Sequence, residues 1–447
     1  MEIILNMLPK IIQQIKTSKF WKSVTYLTLG SSFAQILGIL TTPILSRIYS
    51  VSEFGEFALL LSLSAILSTL VSFGLPSAIM GPNERNKNIE VFVFVSIISL
   101  FFSILLFFFA IFFSQSISII LNSEDIFNFL VILFFLTTTN LIKSFLSILM
   151  NKFSENRVLV INILITSFST LLFSIPLGFL GFTKYGLGIS ATLSSLISIV
   201  QMFYRVKNDF KGVSYLNLKH FIKLYSRFIL FQFPSNIIEI LSLQIPTQFL
   251  SQFYGTNILG SYYMNEKLLG IPSRLIGTPI NTIYFRTATE YYNTNRDLAK
   301  ITFSLVSKFI ILSIFPLTLI ILFGPTLYVF FLGTNWLIAG QLSKYLIVLY
   351  VFSFTANITS YLRVAINKQS INFSVSLLKL LVVFFLILIT SLINMNFNNF
   401  IPLYVVIFCI FYIVDMFINF VLLKSYFLKY LFISSLFLIY CLILWAI

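Results

Sequence analysis

The chain has 447 residues, 58% of them hydrophobic and 10% charged, with 53 phenylalanines and a net charge of +15. A soluble domain carries about 25% charged residues, so this composition excludes a soluble enzyme, a disordered chain and a secreted disulfide scaffold. A polytopic membrane protein remains.

In chain order, residues 1–21 set Ile11, Ile12, Ile15 and Phe20 against Lys10, Gln13, Gln14, Lys16 and Lys19. That pattern predicts a helix lying in the membrane interface. A bilayer span needs about 20 mainly apolar residues, and such stretches lie at 22–48, 55–81, 89–113, 126–150, 158–180 and 184–204. A basic stretch, 205–227, separates them from a second set at 228–254, 257–284, 301–323, 338–362, 372–393 and 400–423. A thirteenth span is expected at 430–447. Continuous runs such as Phe101-Phe102-Ser103-Ile104-Leu105-Leu106-Phe107-Phe108-Phe109 do not alternate as barrel strands do. The expected fold is therefore all-α: two pseudo-symmetric six-helix bundles, 22–204 and 228–423, around a central cavity, with an additional helix at 430–447.

Charge fixes an expected orientation. With a cytoplasmic N-terminus, 21 of the 29 Lys and Arg fall on the cytoplasmic side, Arg363 among them, and only Arg47 and Lys184 fall outside. This is the positive-inside bias, and it accounts for the basic character without nucleic acid as a partner. The linker 205–227 is then cytoplasmic. His220 is the one histidine, and Cys409 and Cys441 both lie in apolar stretches. No disulfide, metal site or cofactor is expected, and no phosphate-binding glycine loop is present to support ATP hydrolysis.

Two internal echoes point to duplication. Leu45, Ser46, Tyr49 and Gly55 return 205 residues later as Leu250, Ser251, Tyr254 and Gly260. Asn151, Lys152, Ser154 and Asn156 return at a spacing of 216 as Asn367, Lys368, Ser370 and Asn372. Each echo falls in the same loop of its half. An even number of spans per half makes the repeat parallel, an arrangement found in transporters, with substrate bound at the repeat interface. Prolines interrupt several spans, and the seventh and eighth carry two each: Pro234 and Pro246, then Pro272 and Pro279. These helices are expected to bend around a cavity.

Ionisable groups inside spans are costly and face a lumen or a partner. The seventh span carries Gln232, Ser235, Asn236, Glu239 and Ser242 on one face. The eighth carries Tyr263, Glu266, Lys267, Gly270, Arg274, Thr278 and Asn281, and the fourth Thr137, Asn140, Lys143, Ser144 and Ser147. A cationic cavity built from Lys143, Lys267 and Arg274, with Asn140 and Asn236, suits an anionic substrate. Glu239, Glu266 and Asp415 are candidates for ion coupling or for structural pairing with the cations. No nucleophile–base pair supports catalysis.

The turn Arg47-Ile48-Tyr49 followed by Glu53-Phe54-Gly55 resembles the polysaccharide branch of the multidrug/oligosaccharidyl-lipid/polysaccharide exporters. The stretch from Gln244-Ile245-Pro246 through Tyr254-Gly255 and Gly260-Ser261-Tyr262-Tyr263 to Gly270-Ile271-Pro272 is similar to that family's seventh and eighth helices. The resemblance implies a Wzx-type flippase, not an enzyme, in the bacterial cytoplasmic membrane. It would move an undecaprenyl-pyrophosphate-linked repeat unit for O-antigen, capsule or exopolysaccharide assembly by alternating access. Membrane lipids, a polysaccharide polymerase and chain-length machinery would be its partners. An ion-coupled exporter of small solutes or drugs on the same fold is the main alternative, ahead of a membrane glycosyltransferase or polymerase.

Overall fold

The computed structural model describes residues 19–121, 125–212, 224–226, 228–294 and 296–446. Residues 1–18 of the interfacial helix expected at 1–21 and much of the basic linker, His220 included, lie outside them, and residues 19–21 open the first described helix. Fifteen α-helices occur among the described residues: α1 Lys19–Ile48, α2 Val51–Ser72, α3 Arg85–Phe112, α4 Ser114–Leu121, α5 Ile126–Lys152, α6 Asn156–Phe179, α7 Thr183–Val206 and α8 Phe233–Tyr254. There follow α9 Thr256–Leu269, α10 Ile271–Asn293, α11 Leu298–Leu332, α12 Leu337–Ala365, α13 Ser370–Ile393, α14 Phe397–Leu422 and α15 Phe427–Ala446. A short 3-10 helix, Leu75–Met80, follows α2.

Each of the thirteen expected spans corresponds to helix. Eleven stretches among the described residues are long and apolar enough to cross a membrane, and α15 supplies the last of them. The expected span 257–284 is not among them, being broken into α9 and α10 at Gly270. Pro272 explains the break, because it has no N–H to give to the Leu268 carbonyl one turn back.

The chain divides into two units: one extends to Thr41 and takes in Leu63–Ile237, and the other combines Thr42–Ser62 with Ile238–Ile447. In the first unit the helices are apolar outward and partly polar inward. Phe112 is 82% and Phe179 77% exposed, while Ser190, Ser194 and Ser198 of α7 are fully buried. That inversion suits a lipid surround, where small hydroxyl residues let helices approach closely and hydrogen-bond across the contact. Asn162 of α6 donates to the Ser198 carbonyl at 3.0 Å, and Thr170 donates to Ser194 at 2.9 Å. A cluster of Val95, Phe145, Leu149, Met150 and Met202 fills the space between α3, α5 and α7.

In the second unit the motif of the first turn proves architectural. Ser50 and Glu53 form a reciprocal N-terminal cap on α2: the Glu53 carboxylate accepts from the Ser50 amide at 2.7 Å, and Ser50 Oγ from the Glu53 amide at 3.4 Å. Phe54 is buried edge-on against Trp336, 5.2 Å between centroids, and the Trp336 indole donates to the Ser46 carbonyl at 3.1 Å. Gly55 is needed for closeness. A methyl group there would strike the Thr256 carbonyl, and one on Gly260 would strike the Val51 carbonyl. Residues 51 and 256, like 55 and 260, are 205 apart, so α2 and α9 cross through a reciprocal contact of the two echoes.

Geometry also corrects the second echo. Glu155 donates to the Met150 carbonyl at 2.9 Å after Ser154 turns left-handed, and Lys368 donates to the Arg363 carbonyl at 2.7 Å after Asn367 does the same. These are matching helix-ending motifs, and their spacing is 213. Gly181 and Asn394, left-handed at the ends of α6 and α13, are also 213 apart, as are Arg85 and Leu298, where α3 and α11 begin. The repeat is real, but the spacing of 216 read from matching letters is three residues out of structural register.

Candidate functional site

Two features of the second unit gather the polar groups, and the first is the break at Gly270. Arg274, one turn into α10, folds its guanidinium back over the end of α9. It donates to the Glu266 carbonyl at 3.5 Å and to the Lys267 carbonyl. These acceptors lie in the last turn of a helix, where a cation also meets the negative end of the helix dipole. Glu266, Lys267 and Arg274 are thus brought together, but by capping rather than by ion pairing. Among the described residues neither Glu266 nor Glu239 has a cation within 4.0 Å. Lys267 Nζ sits 5.8 Å from the centre of the Phe54 ring.

The second feature is a cavity of about 340 Å³ walled by α8, α10, α12 and α13. Glu239 enters from α8, Ser273 and Asn281 from α10, Asn357 and Tyr361 from α12, and Asn372 from α13. Asn281 Oδ1 is buried with no hydrogen-bond partner among the described residues, an arrangement that costs free energy until something donates to it. Two helices place these groups by ordinary periodicity: Asn357 and Tyr361, four apart, share a face of α12, as Ser273, Gly277 and Asn281 do on α10.

Behind the cavity wall lies a buried charge network. Arg363 is 1% exposed, and each of its three guanidinium nitrogens makes a hydrogen bond. It binds the Asp415 carboxylate, donates to Asn419 Oδ1 at 2.7 Å and donates to Asn372 Oδ1 at 3.1 Å. The position assigned to Arg363 by sequence, among the cytoplasmic loop cations, is therefore corrected: α12 continues past it and packs it inside the unit. Asp415 is paired with this arginine, and Asn372 links the pair to the cavity.

The remaining candidates belong to the first unit. Asn140 Oδ1 accepts from Ser195 at 3.0 Å, and Asn236 Oδ1 accepts from Gln232 at 2.9 Å. Lys143 is half-buried on α5 and has no carboxylate within 4.0 Å among the described residues. Sequence reasoning missed Asn357 and Tyr361 as cavity residues, took Asn372 only as part of an echo, and did not connect Arg363 with Asp415. An uncharged carboxamide in an apolar run is a weak signal. A conserved spacing of 213 between loop geometries, invisible in letters, would have put Arg363 one turn inside a helix.

A profile of the family described as polysaccharide biosynthesis protein matches residues 44–341, more than half of the chain. The chain belongs to that family. None of the curated proteins matches it in sequence. Its fold is similar to that of an inward-facing multidrug resistance MATE family transporter of the MOP superfamily, with a TM-score of 0.62 and 14% identity over 90% of this chain and 94% of that one. It is also similar to the lipid II flippase MurJ in an inward closed conformation, with a TM-score of 0.61 and 16% identity over 94% and 97%. A MOP superfamily transporter from Pyrococcus furiosus, with a binding pocket of reverse polarity, matches at a TM-score of 0.56 and 16% identity over 92% and 97%. Family and fold together make this chain a polysaccharide-biosynthesis family member with the fold seen in MOP superfamily transporters and in the lipid II flippase.

Proposed function

We propose that the chain is a flippase for an undecaprenyl-pyrophosphate-linked oligosaccharide repeat unit. It would carry that unit from the cytoplasmic to the outer leaflet of a bacterial cytoplasmic membrane by alternating access, with its N-terminus in the cytoplasm. Surface polysaccharide such as O-antigen or capsule would be the product, and polymerase and chain-length proteins would act next. The observation that carries this reading is a polar, carboxamide-rich cavity inside a membrane unit of a polysaccharide-biosynthesis family member. Solvating sugar hydroxyls within a bilayer requires such a lining, because lipid offers them no hydrogen bonds.

In this reading Lys143, Lys267 and Arg274, with Asn140 and Asn236, hold the pyrophosphate. Lys267 and Arg274 meet at the α9–α10 break, where the guanidinium is already positioned by backbone carbonyls. Among the described residues neither Glu239 nor Glu266 has a cation within 4.0 Å, which makes them the better candidates for gradient coupling, while Asp415 is paired with Arg363. In a strain whose surface glycan depends on this gene, Lys143→Ala and Arg274→Ala are expected to lower display at least tenfold at equal protein level. Glu239→Gln should weaken its dependence on imposed proton or sodium gradients. Full display in both alanine variants would remove the cationic site. Unchanged display without the chain, with loss of small-solute export, would replace the flippase by the drug-exporter reading.

A further inference from the structure

We infer that the cavity of the second unit reads the carbohydrate part of the substrate, as an uncharged, hydroxyl-rich sugar, and is not a pyrophosphate site. The inference rests on the flippase reading and adds to it a division of labour. Among the described residues no Lys or Arg lines the cavity, and its one ionisable carboxylate is Glu239. A pyrophosphate would bring its negative charges beside that carboxylate with nothing to balance them, in a region of low dielectric where like charges repel strongly. Arg363, which reaches the cavity wall through Asn372, lends it no free charge, since it is 1% exposed and paired with the Asp415 carboxylate.

The groups that do line the cavity match a sugar. A hydroxyl both donates and accepts, and a carboxamide offers both complements. Asn281 presents a buried oxygen that lacks a donor. Asn372 presents the opposite: its oxygen is taken by Arg363, which leaves its amide hydrogens to donate. Asn357, exposed on α12, can do either, and Glu239 accepts only. Phe354 and Tyr361 add ring surface for the apolar face of a pyranose. Both rings are pinned by neighbours, Phe354 by Phe309 at 5.2 Å and Tyr361 by Phe285 at 6.4 Å. The volume of about 340 Å³ is at the small end of ligand pockets, which span about 300–1,000 Å³, and is enough for a sugar ring but not for a whole lipid-linked repeat unit.

The test uses the full chain in lipid nanodiscs and saturation-transfer NMR with a panel of neutral hexoses, 6-deoxyhexoses and N-acetylhexosamines, and with inorganic pyrophosphate as competitor. At least one sugar should bind, and Asn357→Leu, at an exposed position that leaves folding intact, should weaken it tenfold or more. Asn281→Leu should do the same, and pyrophosphate should not compete. No binding by any sugar, binding indifferent to both substitutions, or competition by pyrophosphate would each overturn the assignment. Transport of the free sugar by proteoliposomes, with glycan display untouched by Asn357→Leu, would contradict a lipid-linked occupant. The flippase reading fails separately, if surface display does not depend on the chain at all.

Discussion

The ends of α5 and α12 are the same structure holding different chemistry. Both finish on a left-handed residue, Ser154 or Asn367, and in both the amide one residue later returns to a carbonyl five residues back, Met150 or Arg363. Leu146 and Thr359, Leu149 and Leu362, and Met150 and Arg363 are equivalent pairs, each member buried. In the first unit Met150 packs among Leu149, Val206 and Met202. In the second, Arg363 binds Asp415 and supports Asn372 at the cavity wall. A fold that accepts a thioether at this position does not need an ion pair there. The charges belong to what the second unit does rather than to how it folds, and duplication preserved scaffold while the polar groups diverged.

The strongest way to break that comparison is a double-mutant cycle. Arg363→Met or Asp415→Met alone strands a buried charge and should cost about 3–5 kcal/mol, seen as a large fall in the thermal unfolding midpoint of the purified full chain. Arg363→Met combined with Asp415→Met should recover most of that loss, because the first unit shows an apolar solution at the arginine's position. A double variant as unstable as either single one would mean that the scaffold itself requires the pair.

A smaller effect sharpens the same contrast at the α2–α9 crossing. Gly260→Val forces a side chain into the Val51 carbonyl, and Gly55→Val into that of Thr256. Each should cost about 1–3 kcal/mol or more, as overpacking does, and by about the same amount if the crossing is reciprocal. Gly38, with nothing within 4 Å of a would-be methyl, should gain up to about 1 kcal/mol as Gly38→Ala from helix propensity. Unequal losses at Gly55 and Gly260 would argue against a symmetric contact.

Much of the fold was legible because a bilayer demands long apolar helices, and these stand out as uninterrupted runs. The break in the expected span 257–284 was signalled by Gly270 and Pro272, although its use, a cap made by Arg274, was not. The Tyr49–Gly55 motif was visible as a pattern, but its reasons are close contacts: the Ser50–Glu53 cap, Phe54 against Trp336, and Gly55 against α9. Letters misled in two places. Asn, Lys and Ser recur in any polar loop, so the second echo matched at 216 while the helix ends repeat at 213. Arg363 stands just past the expected span end at residue 362, and only the turn at Asn367 shows that the helix continues past it. The cavity was hidden for a different reason. Asn281, Asn357 and Asn372 come from three helices, and no spacing along the chain brings them together.

The most direct measurement is flipping by the purified chain. Proteoliposomes would carry a fluorescent undecaprenyl-pyrophosphate oligosaccharide on both leaflets, and a membrane-impermeant reductant would quench only the label outside. Flipping of the lipid-linked unit predicts quenching of nearly all the label with the intact chain, and of only the outer-leaflet half, roughly, in protein-free vesicles or with Arg274→Ala. Quenching by the intact chain no greater than in protein-free vesicles would contradict it.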